Sequence, residues 1–166
     1  MNYQTILMDR TRPLLQQMGV PGDTSTYVLG SFDQRITIYS QQVRALNLAF
    51  ALQAHGGVDG KSIGVVGGGI AGLTFAAAAL YFGARVTVFE KREEWIDLQR
   101  SSSRWVHPHI YDWPNEGATS EQADLPFLSW SAGPARDAVR MMLSDWNVHQ
   151  NGAGDRFTEH RACSLM

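Results

Sequence analysis

Three short stretches of the first ninety positions have the hydrophobic pattern of β-strands. Ile36 and Ile38 flank Thr37, which is the period of a strand with one buried face, so the pattern predicts a strand over 35–39. The β-branched runs at 63–66 and 85–89 predict two further strands.

Between these stretches, apolar residues recur at helical spacing. Ser40 is a suitable N-cap for a helix that ends at Gly56 and Gly57. A second helix, over 70–82, ends at Gly83. Strands and helices that alternate with short connections predict an α/β fold, with a Rossmann-like parallel sheet and right-handed crossovers.

The two ends of the chain have weaker patterns. Residues 1–32 read as an N-terminal arm with a short helix over 12–18. The Rossmann-like domain is predicted over 33–150 and includes a C-terminal helix that begins at Pro134. Residues 151–166 are polar and aperiodic, so we expect a flexible tail.

A glycine-rich loop follows the predicted strand at 63–66. Both belong to residues 61–90, the predicted core of the Rossmann-like domain. Gly67, Gly69 and Gly72 occupy the three glycine positions of G-x-G-x-x-G. The first glycine permits a tight turn, the second lets a pyrophosphate approach the backbone, and the third lets the helix pack close to the sheet. The N–H groups at the start of the helix then form an anion site. The residues predicted to line it are Gly67, Gly68, Gly69, Ile70, Ala71 and Gly72.

An acidic residue follows at the end of the next strand. Glu90 comes 18 residues after Gly72, where a carboxylate accepts hydrogen bonds from the ribose hydroxyls of an adenosine. A carboxylate there also repels a 2′-phosphate and disfavours NADP, although Lys91 and Arg92 leave NADP open. FAD and NAD share the adenosine end, so Glu90 does not separate them. The structural alternative is a glycine-rich turn beside a surface glutamate.

The stretch 65–90, which begins V-V-G-G-G-I-A-G-L and ends at Glu90, resembles the FAD-binding βαβ unit of flavoprotein oxidoreductases in the amine oxidase and monooxygenase superfamily. The resemblance implies that the glycine loop holds the FAD pyrophosphate and that Glu90 binds the adenine ribose. Arg100 lies near the place of the family's phosphate-facing arginine, without the two glycines that precede it there. Family members have several hundred residues, so the resemblance also implies a fragment or a companion chain.

Composition narrows the classes of partner. The chain has 166 residues and a formal charge of −2, with no basic face to bind nucleic acid or anionic lipid. Its N-terminus lacks a signal-peptide pattern, and no apolar stretch is long enough to span a bilayer. The single cysteine, Cys163, cannot form an internal disulfide. We therefore expect a cytoplasmic protein with a small-molecule substrate, either as a homo-oligomer or with a companion chain.

A second group of functional side chains occurs at 105–113. His107 and His109 form an H-x-H pattern with Asp112 nearby. These residues could ligate a metal, act as an acid or base beside a flavin, or pack as hydrogen-bonded residues of an aromatic loop.

The favoured function is an FAD-dependent oxidoreductase, or its FAD-binding part, acting on an amine, an alcohol or a hydroxylation substrate. The alternatives are an NAD-binding dehydrogenase unit and a non-catalytic nucleotide-binding or assembly module. The sequence identifies no catalytic residue and no metal site.

Overall fold

The computed structural model describes residues 3–30, 36–112 and 119–161. Helices and strands alternate through the middle of the chain, and a short 3₁₀ turn, Gly154–Arg156, precedes the last strand. The helices are α1 (Tyr3–Met18), α2 (Ile38–Ala54), α3 (Ile70–Tyr81), α4 (Asp97–Arg100) and α5 (Ala135–Ala153), and the strands are β1 (Ser62–Val66), β2 (Arg85–Glu90), β3 (Trp105–Val106), β4 (Gly133–Pro134) and β5 (Phe157–Arg161).

Three of the strands form a parallel sheet in the order β1-β2-β5. Val65 pairs with Val88 across β1 and β2, and Glu90 pairs with Arg161 across β2 and β5. This sheet, with its helices, confirms the α/β, Rossmann-like fold. Because the strands are parallel, their carboxyl ends meet at one edge, where the loop at Gly67, Glu90 and Arg161 lie together.

One face of the sheet is in the core and the other is open. Val65, Val86 and Val88 are buried on the inner face, which packs against α3. Helix α3 in turn packs against α2 and α5, which explains why its apolar residues surround the whole helix. On the opposite face Val66 is 90% exposed, and Phe89 stacks on His160 with ring centroids 5.2 Å apart. The described residues do not cover this outer face.

The predicted strand over 35–39 is wrong for its described part, 36–39. Ile38 and Tyr39 form the first turn of α2. The Thr37 side chain accepts a hydrogen bond from the Ser40 N–H, and the Ser40 hydroxyl accepts one from the Thr37 N–H, both at 2.9 Å. This capping box satisfies two N–H groups at the helix start. Thr37 is therefore the N-cap in place of Ser40.

The expectation of a flexible tail is also wrong for residues 151–161. Helix α5 continues to Ala153, and Phe157–Arg161 forms the third strand of the sheet. This strand is polar because it lies at a sheet edge, where Thr158, Glu159 and His160 are exposed. Cys163 lies outside the described residues. At the other end of the chain, α1 begins at Tyr3 and is longer than the predicted 12–18 helix.

Tryptophans from the second half of the chain complete the core. Trp95, Trp130 and Trp146 are buried, whereas Trp105 is exposed, and Trp113 lies outside the described residues. The Trp146 ring makes edge contacts with Trp95 and Phe157. The segment after β2 therefore packs back onto the sheet beside the glycine loop.

Candidate dinucleotide-binding site

The glycine loop continues β1 and turns into α3. Gly67 donates its N–H to the Phe89 carbonyl at 2.8 Å, which extends the pairing of β1 with β2 by one residue. Its φ of +103° is a conformation that side-chain-bearing residues rarely adopt. Glycine at this position thus allows the sharp turn out of the strand.

The third glycine of the motif brings α3 close to this turn. A Cβ at Gly72 would lie 2.0 Å from the Gly67 carbonyl oxygen and 3.4 Å from the Val65 side chain. Any side chain at Gly72 would therefore push the helix away from the loop and the sheet.

The middle glycine of the motif faces open space. Apart from its chain neighbours, a Cβ at Gly69 would meet no atom of the described residues within 4 Å, and Gly69 is the N-cap of α3 in an extended conformation. Within the described residues, the N–H groups of Gly69, Ile70 and Ala71 make no hydrogen bond. Unpaired N–H groups at a helix start attract anions, and the helix dipole adds to that attraction.

Gly68 faces the protein interior. A Cβ there would lie 2.2 Å from Cε3 of Trp95, so the indole ring occupies the space beside this glycine. The Gly68 carbonyl accepts the Ile96 N–H at 3.0 Å. The sequence pattern assigned Gly68 to the anion site, and the structure gives it a packing contact with Trp95 that no local signal indicated.

Two backbone N–H groups hold the Glu90 carboxylate. Oε2 accepts from Gly68 at 2.5 Å and Oε1 accepts from Arg92 at 2.8 Å. Each carboxylate oxygen has a second lone pair, so both can accept another hydrogen bond. Partial burial opposes ionisation, but the N–H groups of Arg92, Gly68 and Lys91, together with the Arg161 guanidinium, lower the pKa of Glu90.

This pKa shift predicts how Glu90 contributes to stability as the pH changes. Because its pKa is lower in the folded chain than its ordinary value of 4.5, ionised Glu90 stabilises the fold above that value. The contribution disappears as the pH falls through the folded-state pKa. Urea unfolding should show wild type more stable than Glu90→Gln at pH 7, with the difference shrinking below pH 4.5. A difference independent of pH would contradict this expectation.

In the described part of the chain, the arginines near Glu90 have acidic partners, whereas Lys91 forms no ion pair. Arg92 forms an ion pair with Asp97, and Arg100 on α4 pairs with Glu94 at 2.8 Å. Lys91 is exposed and forms no side-chain ion pair within the described residues. Arg161, which the sequence pattern did not indicate, comes next to Glu90 through the pairing of β5 with β2.

The histidine group lies in a separate loop. His109 uses both ring nitrogens, one with the Asp112 carboxylate at 2.9 Å and one with the Gln122 carbonyl at 3.0 Å. His107 Nδ1 accepts the His109 N–H at 3.1 Å. Over residues 3–30, 36–112 and 119–161, no group of three or more His, Cys, Asp or Glu side chains could hold a metal ion. Of the three roles predicted for these histidines, the contacts fit that of hydrogen-bonded residues in a loop.

The segment containing this site matches a known family model. Residues 65–95 match the NAD(P)-binding Rossmann-like domain. The match covers the glycine loop, α3, β2 and Glu90, and it ends at Trp95. Together with the parallel sheet, it supports a dinucleotide as the ligand of this domain and a nucleotide-dependent oxidoreductase function in general.

The comparisons with curated proteins and with solved structures do not extend this match, and neither do the lengths of the helices. Among curated proteins and among solved structures, no match to the chain was found. In the described part of the chain, no helix is long and apolar enough to cross a bilayer.

Proposed function

We propose that this site binds the adenosine diphosphate half of FAD, and that the chain is the FAD-binding part of an oxidoreductase. The observation that supports this most directly is the position of Glu90. Its carboxylate accepts the Gly68 N–H, so a ribose acceptor lies next to the loop in which the N–H groups of Gly69, Ile70 and Ala71 are unpaired within the described residues. A ribose and a pyrophosphate are adjacent groups in the adenosine diphosphate half of FAD.

The glycine loop would hold the pyrophosphate of this half through its backbone N–H groups. Gly67 and Gly69 leave the backbone accessible, because a Cβ at either position would meet no atom within 4 Å. The N–H groups at the start of α3 would donate to the pyrophosphate, and ionised Glu90 would accept the ribose hydroxyls. When bound, the flavin supplies the acceptor for a hydride or an electron pair from the substrate.

FAD is preferred because of the form of the fingerprint. The V-G-G-G-I-A-G-L loop and the terminal Glu90 resemble flavoprotein oxidoreductases, and the NAD(P)-binding Rossmann-like domain also occurs in FAD-dependent enzymes. NAD is the alternative, because the same contacts would hold its adenosine half. Lys91 and Arg100 are proposed phosphate contacts, with Arg100 having to leave Glu94. The substrate class is a small amine, an alcohol or a hydroxylation substrate.

The flavin ring needs walls beyond the described residues. The sheet has three strands, and its outer face is open at Val66 and Phe89. Parallel sheets normally have both faces covered. We therefore propose that the 166-residue chain holds FAD weakly by itself and that a second copy or a companion chain covers the open face.

Ligand titration with purified chain tests the adenosine diphosphate assignment. ADP, NAD and FAD should bind with dissociation constants within about tenfold of one another, because they share the half that the site recognises. NADP should bind more weakly, since its 2′-phosphate would be repelled by ionised Glu90 at the proposed ribose position. No binding of any of these ligands would refute the proposal. Tight, stoichiometric FAD on a monomer, measured by absorbance and light scattering, would refute the need for a second chain.

Removing the Glu90 carboxylate should weaken adenosine binding. Glu90→Ala should lose roughly 1.5–3 kcal/mol of ADP binding, because hydrogen bonds to a charged group fall in that range. Isothermal titration of ADP and of its 2′,3′-dideoxy analogue would measure this. Wild type should bind the analogue weakly, and the variant should bind both nucleotides equally.

The neighbouring acidic residue provides a control for this substitution. Glu93 is exposed and lies three residues further along the chain, so Glu93→Ala makes the same change in net charge. Its ADP affinity should remain that of wild type. Equal affinity of wild type for ADP and the dideoxy analogue would remove the ribose role of Glu90.

A further inference from the structure

Arg161 lies beside the glycine loop although it belongs to the last described strand. It pairs in register with Glu90 across β2 and β5. Its guanidinium carbon lies 3.6 Å from the centroid of the Trp95 ring. One guanidinium nitrogen donates to the Arg92 carbonyl at 3.1 Å, and another lies 3.6 Å from the Glu159 carboxylate. The side chain is thus held on several sides.

The Trp95 ring lies between Arg161 and the glycine loop. The indole ring lies against Gly68, where it fills the place of a Cβ, and it is nearly fully buried. The next residue, Ile96, donates its N–H to the Gly68 carbonyl and has a φ of +51°. A β-branched residue in that conformation is strained and persists only where surrounding contacts hold it.

Both N–H groups that hold Glu90 come from residues near Arg161. Gly68 donates to one carboxylate oxygen and packs on the ring that Arg161 covers. Arg92 donates to the other oxygen, and its carbonyl accepts from Arg161. The guanidinium therefore supports both donors and also places a positive charge near the carboxylate.

We propose that Arg161 is a positioning residue for nucleotide binding, which fixes the Glu90 carboxylate through Trp95 and the Arg92 peptide. The inference rests on the proposed function, because Glu90 is taken as the ribose acceptor. Arg161 would contact no ligand. Through Arg161, strand β5 would influence the nucleotide affinity of the site that β1, α3 and β2 form.

The charged groups around Glu90 determine how a substitution of Arg161 changes the pKa of Glu90. Lys91 and Arg92 lie on its own loop, and Arg161 faces it from β5. Asp97 pairs with Arg92, and Glu159 lies near Arg161. Removing the Arg161 charge should take away an attraction that favours the ionised carboxylate and so raise the pKa of Glu90.

The test compares Arg161→Gln, Arg161→Lys and a control, Arg140→Gln. Arg140 is an exposed arginine that pairs with Asp137 on the surface of α5, so its loss makes the same change in net charge. ADP affinity would be measured by isothermal titration between pH 4 and pH 8. In the ligand-free chain, the Glu90 carboxyl would be titrated by carbon-13 NMR, and near-ultraviolet circular dichroism would report on Trp95.

Arg161→Gln should weaken ADP binding by about tenfold at neutral pH and move the Glu90 carboxyl titration to higher pH. Arg161→Lys should restore the titration, because it keeps the charge, while its affinity stays below wild type because an ammonium lacks the planar fork of guanidinium. Arg140→Gln should resemble wild type in both measurements.

An unchanged Glu90 titration in Arg161→Gln would overturn the inference, whatever the ligand affinities. If that variant fails to fold, an Arg161→Lys chain with wild-type affinity and a wild-type Trp95 spectrum would overturn it. Failure of wild type to bind ADP would refute the proposed function instead. The ligand-free titration and the Trp95 spectrum together would then still decide whether Arg161 positions Glu90.

Discussion

Replacing Gly69 by valine should abolish binding of ADP-containing cofactors and leave the fold intact. The fold should tolerate the change because a Cβ at Gly69 has no neighbour within 4 Å and the backbone there is extended. The ligand should not tolerate it, since the side chain would stand where the pyrophosphate approaches the N–H groups of Ile70 and Ala71. Losing two hydrogen bonds to a charged group corresponds to roughly a hundredfold or more in affinity. Isothermal titration with ADP would measure this loss.

Two other glycines separate loss of binding from loss of fold. Gly152 on α5 also has open space around its Cβ position, so Gly152→Ala should bind ADP like wild type. Gly72→Ala should unfold or loosen the chain, because its Cβ would overlap the Gly67 carbonyl. Circular dichroism would check the fold of each variant. Wild-type affinity in a folded Gly69→Val chain would show that the loop does not face phosphate.

Replacing Gln42 by leucine should destabilise the fold by roughly 2–6 kcal/mol, because it would leave the buried Leu128 carbonyl and the Trp130 indole N–H unpaired at about 1–3 kcal/mol each. It would also remove a longer hydrogen bond to the buried Thr74 hydroxyl, at 3.4 Å. Gln42 is fully buried on α2. Its amide donates to the Leu128 carbonyl at 2.9 Å, and its carbonyl oxygen accepts the Trp130 indole N–H at 2.7 Å. Urea unfolding would measure the loss, which is a large share of the 5–15 kcal/mol typical of a domain.

A second substitution tests whether the unpaired groups cause this loss. Adding Trp130→Phe removes the indole N–H, so the double variant should be less destabilised than the sum of the two single variants. Asn47→Leu changes an exposed polar residue on the same helix and should have little effect. Strict additivity of the two core substitutions would show that the hydrogen bond between Gln42 and Trp130 is not the source.

The residues from 62 to 90 could be predicted because their signals are local. The bounds of β1, α3 and β2 differ from the predicted ones by one residue at most. Two glycines of the motif are required by their immediate surroundings, Gly67 by its positive φ and Gly72 by its close contact with the Gly67 carbonyl. The order of strand, loop, helix, strand and acid is a property of the chain itself.

At the start of α2 the structure has a helix where the sequence pattern predicts a strand, although the capping signal there is also local. Ile36 and Ile38 suggested a strand, but the alternation extends over three residues only. The Thr37 and Ser40 side chains cap the helix reciprocally, and serine at the N3 position is weaker as a pattern than the usual Glu or Gln. At the start of α2, the capping hydrogen bonds therefore outweigh the strand preference of an alternation that is only three residues long.

The sequence by itself determined the unit from β1 to β2, with its glycine turn and with Glu90 at the end of β2. Only the tertiary structure decided the third strand and the surroundings of Glu90. Strand β5 has no apolar alternation, because an edge strand is held by backbone pairing with β2, and every residue except proline offers both the N–H and the carbonyl for that pairing. Trp95 behind Gly68 and Arg161 over Trp95 are contacts between distant parts of the chain. Such contacts depend on how the elements pack, and a single sequence does not encode them in its local spacing.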